Sequence, residues 1–209
     1  MGSPGCQGEG VSTTTGHDRP GRPRASSRDA VERIALELFS AHGFAETTVE
    51  DVAEAAGISR RTFFRYFDSK NDVVWGHFDS MLDDLGAWLA QTPAKAPLLE
   101  TLRDAVIRFN ALPAPAVPAH RQRMSLILYV PALQAHSTLR YATWRAVIAS
   151  FAARRLDRPA GSLWPQLVGH VSLAAALAAY GQWLTHEDAD LAALLTSAFD
   201  AIELTIPTD

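Results

Sequence analysis

Residues 47–67, TTVEDVAEAAGISRRTFFRYF, leave the backbone few options. A helix opens at Thr47 or Thr48, and Thr48 stands three residues before Asp51, a spacing that resembles a capping box. Val49, Val52, Ala53 and Ala56 then fall on one face of that helix. Gly57 supplies a tight turn, and Ser59 is placed to cap a second short helix that runs through Phe67. A longer helix precedes the pair. SSRDAVERIALELFSAHG, residues 26–43, opens at Ser27, closes at Gly43, and sets Val31, Ile34, Ala35, Leu38 and Phe39 on one side.

The remainder keeps the same helical period. From DSKNDVV onward, Val74, His77, Phe78, Met81, Leu82, Leu85, Trp88 and Leu89 predict one amphipathic helix over about 70–90, ended by Pro93 and Pro97. Further helices are expected over 98–111, 119–134, 136–156, 162–185 and 188–205, with LPAPAVPAH as a loop and Pro131 kinking or ending its helix. Neither β alternation nor an internal repeat is legible, so the expected fold class is all-α. The stretch from Pro159 to His186 holds no Asp, Glu, Lys or Arg. Its length would allow a membrane span, but Pro165, Gln166, His170, Gln182 and many alanines favour a helix buried against protein.

The second short helix poses a chemical problem. Arg60, Arg61 and Arg65 interleave with Phe63, Phe64, Tyr66 and Phe67, and no surface that is purely buried or purely solvated needs both kinds. The net charge of −4 offers no general basicity, so any polyanion site must be a local patch. A helix-turn-helix resolves the conflict. Its second helix enters the major groove, with Phe63 and Phe67 anchoring the inner side and Arg60, Arg61, Thr62 and Tyr66 facing DNA. Arginine suits guanine or phosphate, a tyrosine hydroxyl suits phosphate, and Thr48 and Lys70 sit at helix starts where phosphate is favoured. Upstream, RPGRPRASSR (19–28) carries four arginines and no acid, and reads either as a solvated charge run or as an arm that reaches DNA.

TTVEDVAEAAGISRRTFFRYFDSKNDVV, following IALELFSAHGF, resembles the DNA-binding domain of TetR-type transcriptional regulators over residues 26–75. The resemblance implies that Thr48, Arg60, Arg61, Thr62, Tyr66 and Lys70 contact DNA. Arg61 departs from the pattern, since many members have glycine there, and adds a cation to the DNA face. The resemblance divides the chain into a disordered tail with a basic arm (1–25), the DNA-binding domain (26–75), and a helical effector-binding and dimerisation domain (76–209).

Residues 121–155 are similar to regulators found with mycofactocin biosynthesis genes, through Arg123, Pro131, Leu133, Tyr141 and Trp144. That similarity implies an acyl-CoA-type effector. Phe109, Arg123, Met124, Leu128, Tyr129, Trp144, Phe151 and Trp164 are the candidate pocket residues, although the same apolar residues could simply fill a core. Gly169, Ala174, Ala178 and Gly181 permit close helix approach, either to a second copy of the chain or within the chain.

An enzyme is not expected. No G-x-S-x-G, H-E-x-x-H, Walker or dinucleotide motif is present, and His42, His77, His136, His170 and His186 lack metal-like spacing. The only cysteine, Cys6, cannot form an internal disulfide. The N-terminus lacks the apolar core of a signal peptide, which fits a cytoplasmic protein. The sequence thus predicts a cytoplasmic, homodimeric repressor that binds a roughly palindromic double-stranded operator, uses no cofactor, contacts no membrane, and is released by an apolar or acyl-type effector such as acyl-CoA. The alternative is a ligand-independent DNA-binding regulator whose larger half serves only dimerisation or partner binding.

Overall fold

A computed structural model of the chain describes Met1 and residues 27–203. Apart from Met1, the expected tail over 1–25 lies outside these residues, as does most of the basic arm. The described chain is helical, with no strand.

The first three helices are α1 (Arg28–His42), α2 (Val49–Ala56) and α3 (Arg60–Tyr66). Each begins on a side chain that satisfies a backbone N–H the helix itself cannot pair. Ser27 accepts from the amide of Ala30 at 3.2 Å, and Ser59 from that of Thr62 at 3.0 Å. Thr48 accepts from the Asp51 amide while the Asp51 carboxylate accepts from the Thr48 amide at 2.8 Å, so the capping box is complete. Gly57 adopts the left-handed conformation with φ of 68°, which turns the chain from α2 into α3. Phe63 and Phe67 are buried with ring centroids 5.3 Å apart, pinning α3 to the core made by Val31, Ala35, Phe39, Val52 and Ala56.

The single helix expected over 70–90 is two helices. The short α4 (Lys70–Val73) is capped by Ser69, and α5 (Phe78–Gln91) starts only after a turn at Val74–His77. Gly76 takes φ of 54° there, outside the helical region. The turn is fixed from elsewhere in the fold. Arg28 donates to the Gly76 carbonyl at 2.7 Å, and Arg123 donates to the Val74 carbonyl at 3.4 Å.

The larger half comprises α6 (Leu98–Phe109), a 3₁₀ turn at Ala114–Ala116, α7 (Val117–Tyr129), α8 (Pro131–Leu156), α9 (Leu163–Thr185) and α10 (Leu191–Glu203). Pro131 is the first residue of α8, a position that spares its missing N–H and separates α8 from α7. α9 packs along α8 and α10, α10 packs on α6, and α1 packs on α7. Gly169 allows α9 its close approach to α8, because a Cβ there would come within 2.9 Å of the Arg145 carbonyl oxygen. α9 is long and apolar enough by length and composition to cross a membrane, with mean hydropathy 1.2. Its buried residues, among them Ala175, Ala176, Ala179, Tyr180 and Trp183, join the core shared with α6, α7, α8 and α10.

Candidate nucleic-acid interface and ligand cavity

Thr48, Arg60 and Arg61 are exposed on the α2–α3 unit, with Thr62 and Tyr66 half-buried beside them. The Thr48 hydroxyl donates to Asp51 at 2.7 Å. The Thr48 amide and then its hydroxyl hold the Asp51 carboxyl below its usual pKa, so the start of α2 carries a fixed negative charge. Arg60 is already paired, its Nε 2.7 Å from Glu50 and its guanidinium 4.9 Å from the Phe64 ring centroid. Arg61 has no ion pair or hydrogen bond among the described residues, and so presents its charge outward. Thr62 shares a 2.9 Å hydroxyl contact with Ser59, and the Tyr66 hydroxyl accepts from Arg65 at 3.3 Å.

Lys70 is turned further inward than its place at a helix start implies. Its ammonium donates to the carbonyls of Phe44 at 2.6 Å and Thr47 at 2.9 Å, and lies 4.3 Å from the Phe44 ring centroid. Burial lowers its pKa, against the opposing pull of Glu46. Arg28, which the sequence groups with the basic arm, also points inward. It donates to Gly76 and to the Tyr66 carbonyl, and stacks 4.8 Å from the Phe67 ring centroid.

The helices enclose a cavity of about 290 Å³. Glu32 of α1, Val74, Trp75 and His77 of the turn, Phe78 of α5, Phe109 of α6, Arg123, Met124 and Ile127 of α7, Tyr141 and Trp144 of α8, and Tyr180 of α9 are among its walls. Of the pocket residues expected from sequence, Phe109, Arg123, Met124 and Trp144 line it. Leu128, Tyr129, Phe151 and Trp164 do not. Phe151 is buried in the core, while Tyr129 and Trp164 are exposed at 56% and 50%. Leu128 packs half-buried against the core away from the cavity.

Two polar groups organise this space. Arg123 pairs with Glu32, joining α7 to α1, and both side chains line the cavity. In the second group, Tyr180 donates to Asn110 Oδ1 at 2.6 Å and its oxygen lies 2.8 Å from His120 Nε2. Because the Tyr180 proton is committed to Asn110, His120 must be the donor in the second bond, which fixes its neutral tautomer with the proton on Nε2. Burial, with Arg123 adding to it, lowers the His120 pKa to about 4. Burial likewise raises Tyr180 and Tyr141. Sequence reading missed Glu32, Trp75, His120 and Tyr180. The one local signal was Tyr180, a polar-tipped aromatic in an otherwise apolar, alanine-rich helix.

Arg121 belongs to neither surface. It donates to the carbonyls of Trp183, His186 and Glu187 and stacks over Trp183, closing the C-terminal end of α9.

Comparison with known proteins gives matches to both halves. Residues 33–74 match the bacterial regulatory proteins of the tetR family, and residues 96–207 match the MftR C-terminal domain. The chain is 42% identical to the candidate mycofactocin biosynthesis transcriptional regulator MftR of Mycobacterium tuberculosis, across 88% of this chain and 93% of that protein. It is 30% identical to the HTH-type transcriptional regulator TcmR of Streptomyces glaucescens, across 92% and 88% of the two chains. Among solved structures, the Thermus thermophilus FadR repressor in complex with lauroyl-CoA shares the fold with a TM-score of 0.55 at 21% identity, covering 88% of this chain and 97% of that one.

Proposed function

The chain belongs to the tetR family of bacterial transcriptional regulators, and from that premise we propose that it is a homodimeric repressor released from its operator by an apolar, acyl-type effector held in the central cavity. It is a regulator and not an enzyme. The observation that carries the proposal is the composition of the cavity wall. Glu32 of α1 and the Val74–His77 turn line it together with α7, α8 and α9, so a molecule that fills it touches the DNA-binding half directly.

The division of the chain near residue 75 falls inside that turn. Arg28, Asp29 and Glu32, on one side of α1, hold the turn and α7 through Gly76, His77 and Arg123 respectively. A ligand that spreads the wall shifts α1, and with it the α2–α3 unit, without any need for a continuous helix from Lys70 to residue 90. At about 290 Å³ the cavity stands at the low end of the roughly 300–1,000 Å³ usual for ligand sites, which suits a slender chain. The lauroyl-CoA complex of a repressor with the same fold supports an acyl-type ligand.

Dimerisation is supported by the outward side of α9. Leu163, Leu167, Ala174 and Ala178 are exposed along one face, and nothing approaches a Cβ placed at Gly181. Two such faces meeting across a two-fold axis, each with α10 packed beside it, form a four-helix interface. The two α3 helices then reach successive major grooves of a roughly palindromic operator, with Arg61 and Arg60 at base edges and Thr48, Tyr66 and Lys70 at the backbone.

The test has two arms. Light scattering must show a dimer at micromolar concentration, lost in Ala174→Arg. Operator affinity at fixed salt must fall with a long-chain acyl-CoA, and operator must weaken the acyl-CoA by the same factor. Tight acyl-CoA binding that leaves operator affinity unchanged removes that ligand as effector. If no ligand in a thermal-shift screen raises stability, the ligand-independent alternative gains.

A further inference from the structure

Three side-chain polar atoms among the described residues are buried without a hydrogen bond: Glu32 Oε2, Trp75 Nε1 and Tyr141 Oη. All three belong to residues that line the same cavity. Folded interiors rarely leave such atoms unanswered, so their concentration around one space asks for an explanation. The Glu32 oxygen has Arg28 at 3.7 Å and is answered by charge. The Trp75 indole N–H has no acceptor at all. The Tyr141 hydroxyl lies beside Ser137 without reaching hydrogen-bond geometry.

The other polar side chains of the cavity are engaged with each other or with the backbone. Tyr180 and His120 are spoken for by the relay to Asn110, and the Asn110 amide donates to the Val106 carbonyl at 2.7 Å. Arg123 is held by Glu32 and Val74, and His77 by Asp29. The buried donors left over are the Trp75 N–H and the Tyr141 O–H. Their rings pack edge to face with centroids 5.9 Å apart, so the two donors stand on adjoining walls, one from the α4–α5 turn and one from α8.

We propose that the effector carries an uncharged oxygen acceptor on an apolar chain, a ketone, ester or thioester carbonyl, and that Trp75 N–H and Tyr141 O–H receive that oxygen. The proposal rests on the cavity being the effector site. An apolar chain matches the remaining walls, which include Phe78, Met81, Phe109, Met124, Ile127 and Leu173. A carboxylate is the poorer fit. Arg123 of the cavity wall is already paired with Glu32, so a ligand carboxylate would have to displace that partner to reach it. A carbonyl needs only donors, and donors are what stand open.

The full-length protein is titrated by calorimetry with methyl heptyl ketone, with the straight-chain alkane of equal carbon number, and with the carboxylate of equal carbon number. The ketone should bind roughly tenfold more tightly than the alkane, and the carboxylate should bind weakest. Trp75→Phe and Tyr141→Phe should each lower the ketone-to-alkane ratio, and the double variant should bring it close to one. Each ratio is taken within a variant, so packing changes cancel, and Tyr141→Phe keeps its ring and stays informative if Trp75→Phe folds poorly. A wild-type ratio near one, a ratio that survives both substitutions, or tightest binding by the carboxylate overturns the assignment. If the ligands bind equally and still weaken operator binding, the effector reading of the cavity stands and the carbonyl assignment is lost. If none binds, the carbonyl assignment is lost, while the effector reading stands or falls with the acyl-CoA titration.

Discussion

The Arg123 guanidinium of α7 is hydrogen-bonded to the Glu32 carboxylate of α1, 91 residues earlier in the chain. Their side chains are 20% and 10% exposed, so the pair is largely removed from water. Removing one partner of such a pair strands the other charge, which costs far more than the pair contributes when intact.

Glu32→Leu and Arg123→Met should therefore each cost about 3 kcal/mol of stability, while the double variant should cost less than either single change. Urea unfolding of the four proteins measures this. A double variant that loses the sum of the two single losses would show that the residues act independently.

Glu50→Gln should strengthen operator binding. The Glu50 carboxylate sits 2.7 Å from Arg60 on the exposed face of the α2–α3 unit, where it neutralises a cation and repels phosphate. Arg61 has no such partner among the described residues, so Arg61→Ala should cost about 1–3 kcal/mol of operator affinity and Arg60→Ala less. Fluorescence anisotropy on operator and random DNA checks the order. A greater loss for Arg60→Ala than for Arg61→Ala contradicts it.

Lys70→Ala should lower stability as well as affinity. Its ammonium bonds two carbonyls of the α1–α2 connection, and hydrogen bonds to a charged group contribute about 1.5–3 kcal/mol. If the remaining N–H also meets a phosphate, the slope of log affinity against log salt should fall by about one. An unchanged slope with lower stability assigns Lys70 to holding α4 against the α1–α2 connection alone.

His120 predicts a pH dependence whose sign follows from its neutral form. The folded pKa of about 4 lies below the ordinary 6.5, so the unfolded chain takes up the proton first. The stabilisation is complete above about pH 6.5 and is lost as pH falls towards 4, an effect on the order of 3 kcal/mol. Unfolding free energies of wild type and His120→Phe across that interval should converge as pH falls. Parallel curves would mean that His120 does not titrate with folding.

Much of this fold is written in short-range chemistry. Ser27, Thr48 and Ser59 each start a helix through a bond that spans three residues, and Gly57 turns the chain by its own φ. Those signals survive in sequence because donor and acceptor are neighbours. The break at Gly76 was not legible for the opposite reason. Val74 through Leu89 keep a helical period, yet the turn is held by Arg28 and Arg123, distant residues that bond its carbonyls. The cavity shows the same limit. Size and aromaticity nominate Tyr129 and Trp164, which face outward, whereas His120 is drawn in by Tyr180, 60 residues away. The candidate DNA face was legible in residue type, but not in the Glu50 and Phe44 contacts that restrain Arg60 and Lys70.

Glu32 and Trp75 help form the cavity, and they also belong to the segments that carry the DNA-binding helices. On the proposed effector reading, ligand choice and grip on the operator share these side chains, so neither can drift alone. A lineage that changed Glu32 to admit another ligand would alter its set point for repression in the same step. Freedom to diversify lies instead with wall residues such as Met81, Leu112 and Leu173, on α5, the α6–α7 connection and α9. Descendants of this chain that respond to new molecules should differ at those positions first.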